Sequence, residues 1–279
     1  FRYLRQLLTS ETRVVFTHGP GIGAALVSLA LSRCRRARTA WICPRPQVPV
    51  WFQNRWTPPV DLLISNHVTG WYRSAGFEAP RRIFVGYDGT RLSGPGSQAA
   101  SEPSSSRPGR VLHVGHVRRS RGLDSLAALK ERFGPSVEVR LVSSPRFPVE
   151  AGVAEELHRS GVEIVKGFSS DLAAEYRWAD VYLFPTDPGL GGAVELPLTV
   201  LEALHAGTPV VTTRFGAIEE ALDDHAGVHF FDSGSESSMC DVVEKVLTDV
   251  GETIPQPLHL ELQTVVDVLV AWSENGDVQ

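Results

Sequence analysis

Short apolar runs alternate along the chain with segments whose apolar residues recur at helical spacing, and the pattern is clearest over residues 111–212. The run beginning at Val111 predicts a strand that opens into a basic loop ending at Gly122, with a helix from Leu123 to about Phe133. Residues 161–187 predict strand, loop, helix, strand and loop in turn. Ser169 or Ser170 is placed to cap that helix, and Leu172, Tyr176 and Ala179 recur along it. Val181 to Phe184 reads as a strand buried on both faces. A short apolar helix then carries Glu195 and Glu202 near its start, stops at Gly207 and runs into the strand at Pro209, Val210 and Val211. This alternation predicts a parallel sheet that receives ligands at the carboxyl ends of its strands.

The flanks are read the same way. Residues 13–30 predict a strand, a glycine turn and a helix, and a further strand spans Thr39 to Cys43. The turn's Gly19, Gly21 and Gly23 make a poor dinucleotide fingerprint, because Pro20 interrupts them and the third glycine is not at the required spacing. Residues 93–109, rich in Gly, Ser and Pro, cannot support a core and predict a linker. The expected organisation is a partial first domain over 1–92, the linker, a second domain over 110–256, and a terminal helix and tail over 257–279. Met239, Val242, Val243, Val246, Leu247 and Val250 predict a helix packed on the second domain, and Leu262, Val265, Val266 and Leu269 predict another near the carboxyl end.

A net charge of -5 and a pI near 6.0 argue against a general nucleic-acid binder. Cys34, Cys43 and Cys240 share no metal-like spacing, and their odd number suits a reduced, cytoplasmic setting. No apolar run reaches membrane-spanning length. The basic and apolar opening residues read first as an amphipathic helix end and second as a peripheral contact with the inner face of a membrane.

Two readings stand for Glu202 on its apolar helix. Its two acceptor oxygens suit the adjacent hydroxyls of a ribose, or it caps local N–H groups or lies exposed. The neighbouring motifs weigh toward a ligand. Residues 61–250 resemble the retaining nucleotide-sugar glycosyltransferases of family 4, whose GT-B fold has two Rossmann-like doubly wound domains facing a cleft. The resemblance runs in order through the segment Asp61 to Gly89, the loop Gly115 to Gly122, the glutamates Glu195 and Glu202, and the run Gly207 to Val211.

The resemblance implies a donor diphosphate against Gly115, His116 and Arg121, the base beside Phe168, the ribose on Glu202 and the transferred sugar on Glu195. Arg121 stands at the family's lysine position, and a guanidinium can grip a diphosphate in bidentate fashion. His116 stands at its arginine position, with Arg118 and Arg119 near enough in sequence to compensate. The family separates its glutamates by seven residues; here six intervene, Val194 occupies the expected register, and Gly191 and Gly192 allow the loop to shift. His18 is either a donor to sugar or acceptor or a structural histidine satisfied by the glycine turn. Cys43 stands where the family often has a functional histidine, and His67 falls at an ordinary helix start. About ninety residues precede the linker, fewer than a full Rossmann-like half needs, so the first domain reads as truncated.

The resemblance therefore implies sugar transfer, with retention, from a nucleoside diphosphate sugar to a glycan, a lipid-linked or a small-molecule acceptor. No cofactor or metal is expected, since no Asp-x-Asp motif precedes the helix and Asp223 and Asp224 read as solvated surface. Two alternatives stand beside it: a non-catalytic protein that binds a nucleotide sugar or a partner, and a GT-B epimerase that converts the donor with no acceptor.

Overall fold

The computed structural model describes residues 14–18, 38–42, 61–66, 81–92, 107–144, 146, 148–167, 171–187, 193–249 and 254–275. The chain divides into two compact units, Phe1–Tyr87 with Leu258–Gln279, and Asp88–Pro257.

In the first unit, β1 (Val14–His18), β2 (Arg38–Ile42), β3 (Leu62–Ile64) and β4 (Arg81–Ile83) pair in that order, all parallel. Leu62, Leu63 and Ile64 are all buried, as in a strand covered on both faces. The Asp61 carboxylate accepts from the Thr39 amide at 2.7 Å and ties β2 to the start of β3. The terminal helix Leu262–Asn275 packs Val265 and Trp272 against Ala40, Leu62, Ile64 and Ile83. Its buried seam falls at Val265, Leu269 and Trp272, one contact per turn, so Leu262 and Val266 of the expected stripe face outward.

The second unit is a six-stranded sheet in which every pairing is parallel. Its strands are β5 (Gly109–Val114), β6 (Val137–Ser143), β7 (Glu163–Lys166), β8 (Val181–Phe184), β9 (Val210–Thr212) and β10 (Val228–Phe230). Their spatial order is β10-β9-β8-β5-β6-β7. The chain builds outward from β5 through β7, returns to the middle and builds the other way from β8. The loops leaving β5 and β8 thus diverge at the topological switch point, where doubly wound sheets bind ligands.

The helices are α1 (Asp124–Phe133), α2 (Val153–Arg159), α3 (Leu172–Trp178), α4 (Leu198–His205), α5 (Ile218–Leu222) and α6 (Glu236–Thr248). Leu126 and Leu129 of α1 and Met239 and Val243 of α6 share one core with Val111, Val139, Val181 and Val211 of the strands. The α3 cap differs from expectation. Asp171 caps it by accepting from the Ala174 amide at 2.8 Å, while Ser169 and Ser170 lie outside the described residues.

Gly207 stops α4 as its sequence predicts. At φ 80° it donates to the Leu204 carbonyl, and Thr208 donates to the Ala203 carbonyl, the paired bonds of a Schellman cap. Gly122 meets a harder constraint. At φ 71° it lies so close to the loop after β8 that a Cβ would stand 2.1 Å from the Pro185 carbonyl oxygen, whereas a Cβ on Gly207 would meet nothing within 4 Å. Gly207→Ala should therefore cost about 1 to 2 kcal/mol of backbone strain. Gly122→Ala should cost about 3 kcal/mol or more, because overpacking against backbone adds to the same strain. Urea unfolding followed by far-UV circular dichroism checks the order of the two variants.

Candidate active site

The loop leaving β5 is anchored at both ends. The Gly115 amide donates to the Val142 carbonyl of β6 at 3.0 Å, and a 3-10 turn over Arg119–Arg121 closes on Gly122 against Pro185. A Cβ on Gly115 would stand 2.7 Å from His113 Nε2, so the backbone at this position lies directly over the histidine ring.

Arg121 ends the turn half-buried, and its Nε has no hydrogen-bond partner. Burial pushes its pKa down, the Tyr182 hydroxyl opposes that shift, and the Arg118 charge adds to it. Burial, then Arg121 and Arg118, likewise lower the pKa of His116. Arg119 does not compensate for a weak His116. Its guanidinium is engaged by Asp124 at 2.8 Å and Glu156 at 2.7 Å, and its amide donates to Glu150. Arg121 thus holds its positive charge in a partly desolvated place, the condition in which an anion is attracted most.

Glu202 sits in the middle of α4 and not near its start, because the helix begins only at Leu198. The Tyr176 hydroxyl of α3 donates to Glu202 Oε2 at 2.9 Å, so the fold itself supplies one partner that the sequence reading sought in a ligand. Tyr182 of β8 lies between the two halves of the site. Its hydroxyl donates to the Val114 carbonyl at 3.4 Å and is within electrostatic reach of both Glu202 and Arg121, and burial pushes its pKa well up. Its ring meets Tyr176 edge-on at 5.7 Å and stacks on His113 at 6.3 Å.

Glu195 is set by the turn after β9. Its carbonyl accepts from the Ala217 amide at 2.8 Å, and Gly216, at φ 56°, packs so tightly that a Cβ would stand 2.4 Å from that carbonyl oxygen. The Thr213 hydroxyl donates to the Thr186 carbonyl at 2.6 Å and joins this turn to the loop after β8. Val194 is 56% exposed while Glu195 is half-buried, so of the two register candidates it is the glutamate that turns inward.

Gly115, His116 and Arg121 thus lie on the loop leaving the carboxyl end of β5, and Tyr182 is in electrostatic reach of both Arg121 and Glu202. His18 closes β1, in the unit that does not hold these loops. Phe168, Gly191, Gly192, Cys43 and His67 lie outside the described residues. Asp223 and Asp224 are exposed, and Asp223 pairs with Arg214 at 3.4 Å. Among the described residues no group of three or more His, Cys, Asp or Glu is placed to hold a metal ion, and no helix is long and apolar enough to cross a membrane.

Sequence reasoning missed His113 and the polar roles of Tyr176 and Tyr182. The available signal was a polar atom inside each of three apolar patterns. His113 is fully buried in β5, with Nδ1 2.9 Å from the Leu183 carbonyl. That contact makes Nδ1 the donor and leaves Nε2 the unprotonated nitrogen, buried without a partner.

The model of the glycosyl transferases group 1 family matches residues 108–249, the sheet that carries these loops. The chain belongs to this family. D-inositol 3-phosphate glycosyltransferase from Corynebacterium kroppenstedtii (strain DSM 44385) is 31% identical over 163 residues, 51% of this chain and 34% of that protein, so the match spans about a third of that relative's length. Anabaena Alr3699/HepE, solved in complex with UDP, superposes with a TM-score of 0.69 at 14% identity, covering 99% of this chain and 81% of that one. A glycosyltransferase from Rickettsia africae gives 0.68 at 10% identity, covering 98% and 79%. The lipopolysaccharide outer core galactosyltransferase WaaB gives 0.65 at 12% identity, covering 99% and 77%. These likenesses establish that this family member has the GT-B fold of two Rossmann-like domains, in agreement with the sequence reading.

The buried histidine makes the site-bearing unit acid-sensitive. Burial holds His113 at a pKa of about 4, against 6.5 when unfolded. Below pH 6.5 the unfolded chain therefore takes up a proton that the folded chain refuses, and stability falls as pH drops from 6.5 to 4. The loss due to this group is about 3 kcal/mol over that window. His113→Phe keeps a ring and removes the titration, so its stability should fall by about 3 kcal/mol less than that of the wild type between pH 7 and pH 4, read from urea midpoints.

Proposed function

We propose that this family member transfers a sugar, with retention, from a nucleoside diphosphate sugar to a hydroxyl of a glycan, lipid-linked or small-molecule acceptor. The observation that carries the reading is Arg121, a half-buried guanidinium at the switch point, whose Nε lacks a partner and whose charge is opposed by burial and by Arg118. A donor diphosphate would supply the missing anion. Two relatives support the choice of ligand. Anabaena Alr3699/HepE was solved with UDP-glucose, and the curated relative is named a glycosyltransferase.

In this reading Gly115 allows close backbone approach to the diphosphate, while His116 donates a hydrogen bond and Arg121 neutralises charge. Glu202 receives the ribose hydroxyls and Glu195 orients the transferred sugar. The acceptor oxygen bonds to the anomeric carbon from the face the diphosphate leaves, the bond from that carbon to the diphosphate oxygen breaks, and the acceptor proton passes to a phosphate oxygen. Positioning and charge stabilisation then supply most of the rate. A second reading, donor binding without transfer, is favoured by one observation: the Arg119 guanidinium is occupied by the Asp124 and Glu156 carboxylates.

Uridine, guanosine and adenosine diphosphate sugars, scored for binding and for released nucleoside diphosphate, test both readings. The wild type should bind one base class and turn it over. Glu202→Ala should weaken that binding by about tenfold. Arg121→Ala should slow diphosphate release by about a hundredfold, the scale of losing one charge-stabilising group. Binding without turnover, with or without an added acceptor, selects the second reading, and absence of binding to all three defeats both.

A further inference from the structure

Tyr176 is fully buried, and its hydroxyl donates to Glu202 Oε2 at 2.9 Å. The tyrosine is held from several directions. Its carbonyl accepts from the buried Thr208 hydroxyl at 2.8 Å, its helix is capped by Asp171, and its ring meets Tyr182 edge-on. The donor is therefore as rigid as the core around it. The acceptor is a glutamate with three rotatable bonds, and a hydrogen bond from a fixed phenol restricts the rotamers open to it.

Burial, first among the causes, pushes the Tyr176 pKa well up, followed by Tyr182 and Glu202. The hydroxyl keeps its proton throughout the working pH range, so it donates and the carboxylate accepts. Tyr182, whose own hydroxyl donates to the Val114 carbonyl at 3.4 Å, packs its ring edge-on against the Tyr176 ring.

We propose that Tyr176 is a positioning residue whose hydroxyl fixes the Glu202 carboxylate in the orientation that receives the donor's ribose diol. The proposal rests on the ribose role given to Glu202 above. It separates Tyr176 from an ordinary core aromatic, whose loss would loosen the fold and weaken every ligand alike.

The test compares a ribonucleoside diphosphate with its 2′,3′-dideoxy analogue, in the base the sugar-nucleotide panel selects, on wild type, Tyr176→Phe, Glu202→Ala and the double variant. The wild type should bind the ribose form at least about tenfold more tightly than the dideoxy form. Tyr176→Phe should weaken the ribose form by about tenfold and the dideoxy form by less than about twofold. In the Glu202→Ala background Tyr176→Phe should change neither, the non-additivity expected of two groups acting as one.

Equal weakening of both nucleotides, an unchanged ratio, or a loss that persists without Glu202 would overturn the positioning role. A wild type that does not discriminate ribose from dideoxyribose would overturn the reading of Glu202, and this inference with it. Replacement of Tyr176 by 4-fluorophenylalanine fills the hydroxyl's volume without a donor, and it carries the same expected outcomes should Phe leave a packing defect.

Discussion

The pairing of β5 with β8 in the middle of the six-stranded sheet is the constraint on which the candidate site depends. These two strands are distant in sequence and begin opposite directions of sheet growth, so their outgoing loops separate at one point on the carboxyl edge. The join is tight at side-chain and backbone level. His113 reaches across to the Leu183 carbonyl, and Gly122 brings the first loop onto Pro185 with no room for a Cβ. The loops at this edge are thereby fixed in position.

Charge is distributed unevenly on that frame. Arg119, exposed on the loop, is tied to carboxylates of α1 and α2 and secures the turn. Arg121, deeper in, bears the cost of desolvation with like charge nearby. Burying a charge without a partner of opposite sign is unfavourable. On the opposite side Glu202 is oriented by a buried phenol. The Tyr182 ring stacks on His113 and meets Tyr176 edge-on, so the three rings are in contiguous contact.

Much of this was legible beforehand, for a physical reason that differs from element to element. The four residues of β8 form an uninterrupted apolar run because a central parallel strand is covered on both faces, and Gly207 announces the end of α4 because few other residues adopt its φ. The α3 cap was misassigned because Ser169, Ser170 and Asp171 are consecutive capping residues, and propensity alone does not choose among them. The outward face of the terminal helix was misread because Leu262 and Val266 fit a helical period as well as the buried positions do, and only the sheet they lie beside separates inside from outside.

By itself, then, the sequence determined the alternation of strand and helix, the glycine positions that shape the loops, and the family to which its motifs point, because each of these is encoded in local spacing and residue type. The tertiary structure alone decided which groups meet. That Glu202 is held by Tyr176, that Arg119 is occupied while Arg121 keeps an unpartnered Nε, and that His113 links β5 to β8 are contacts between residues far apart or differently buried. Burial and pairing of polar groups are properties of the packed sheet, and no local pattern records them.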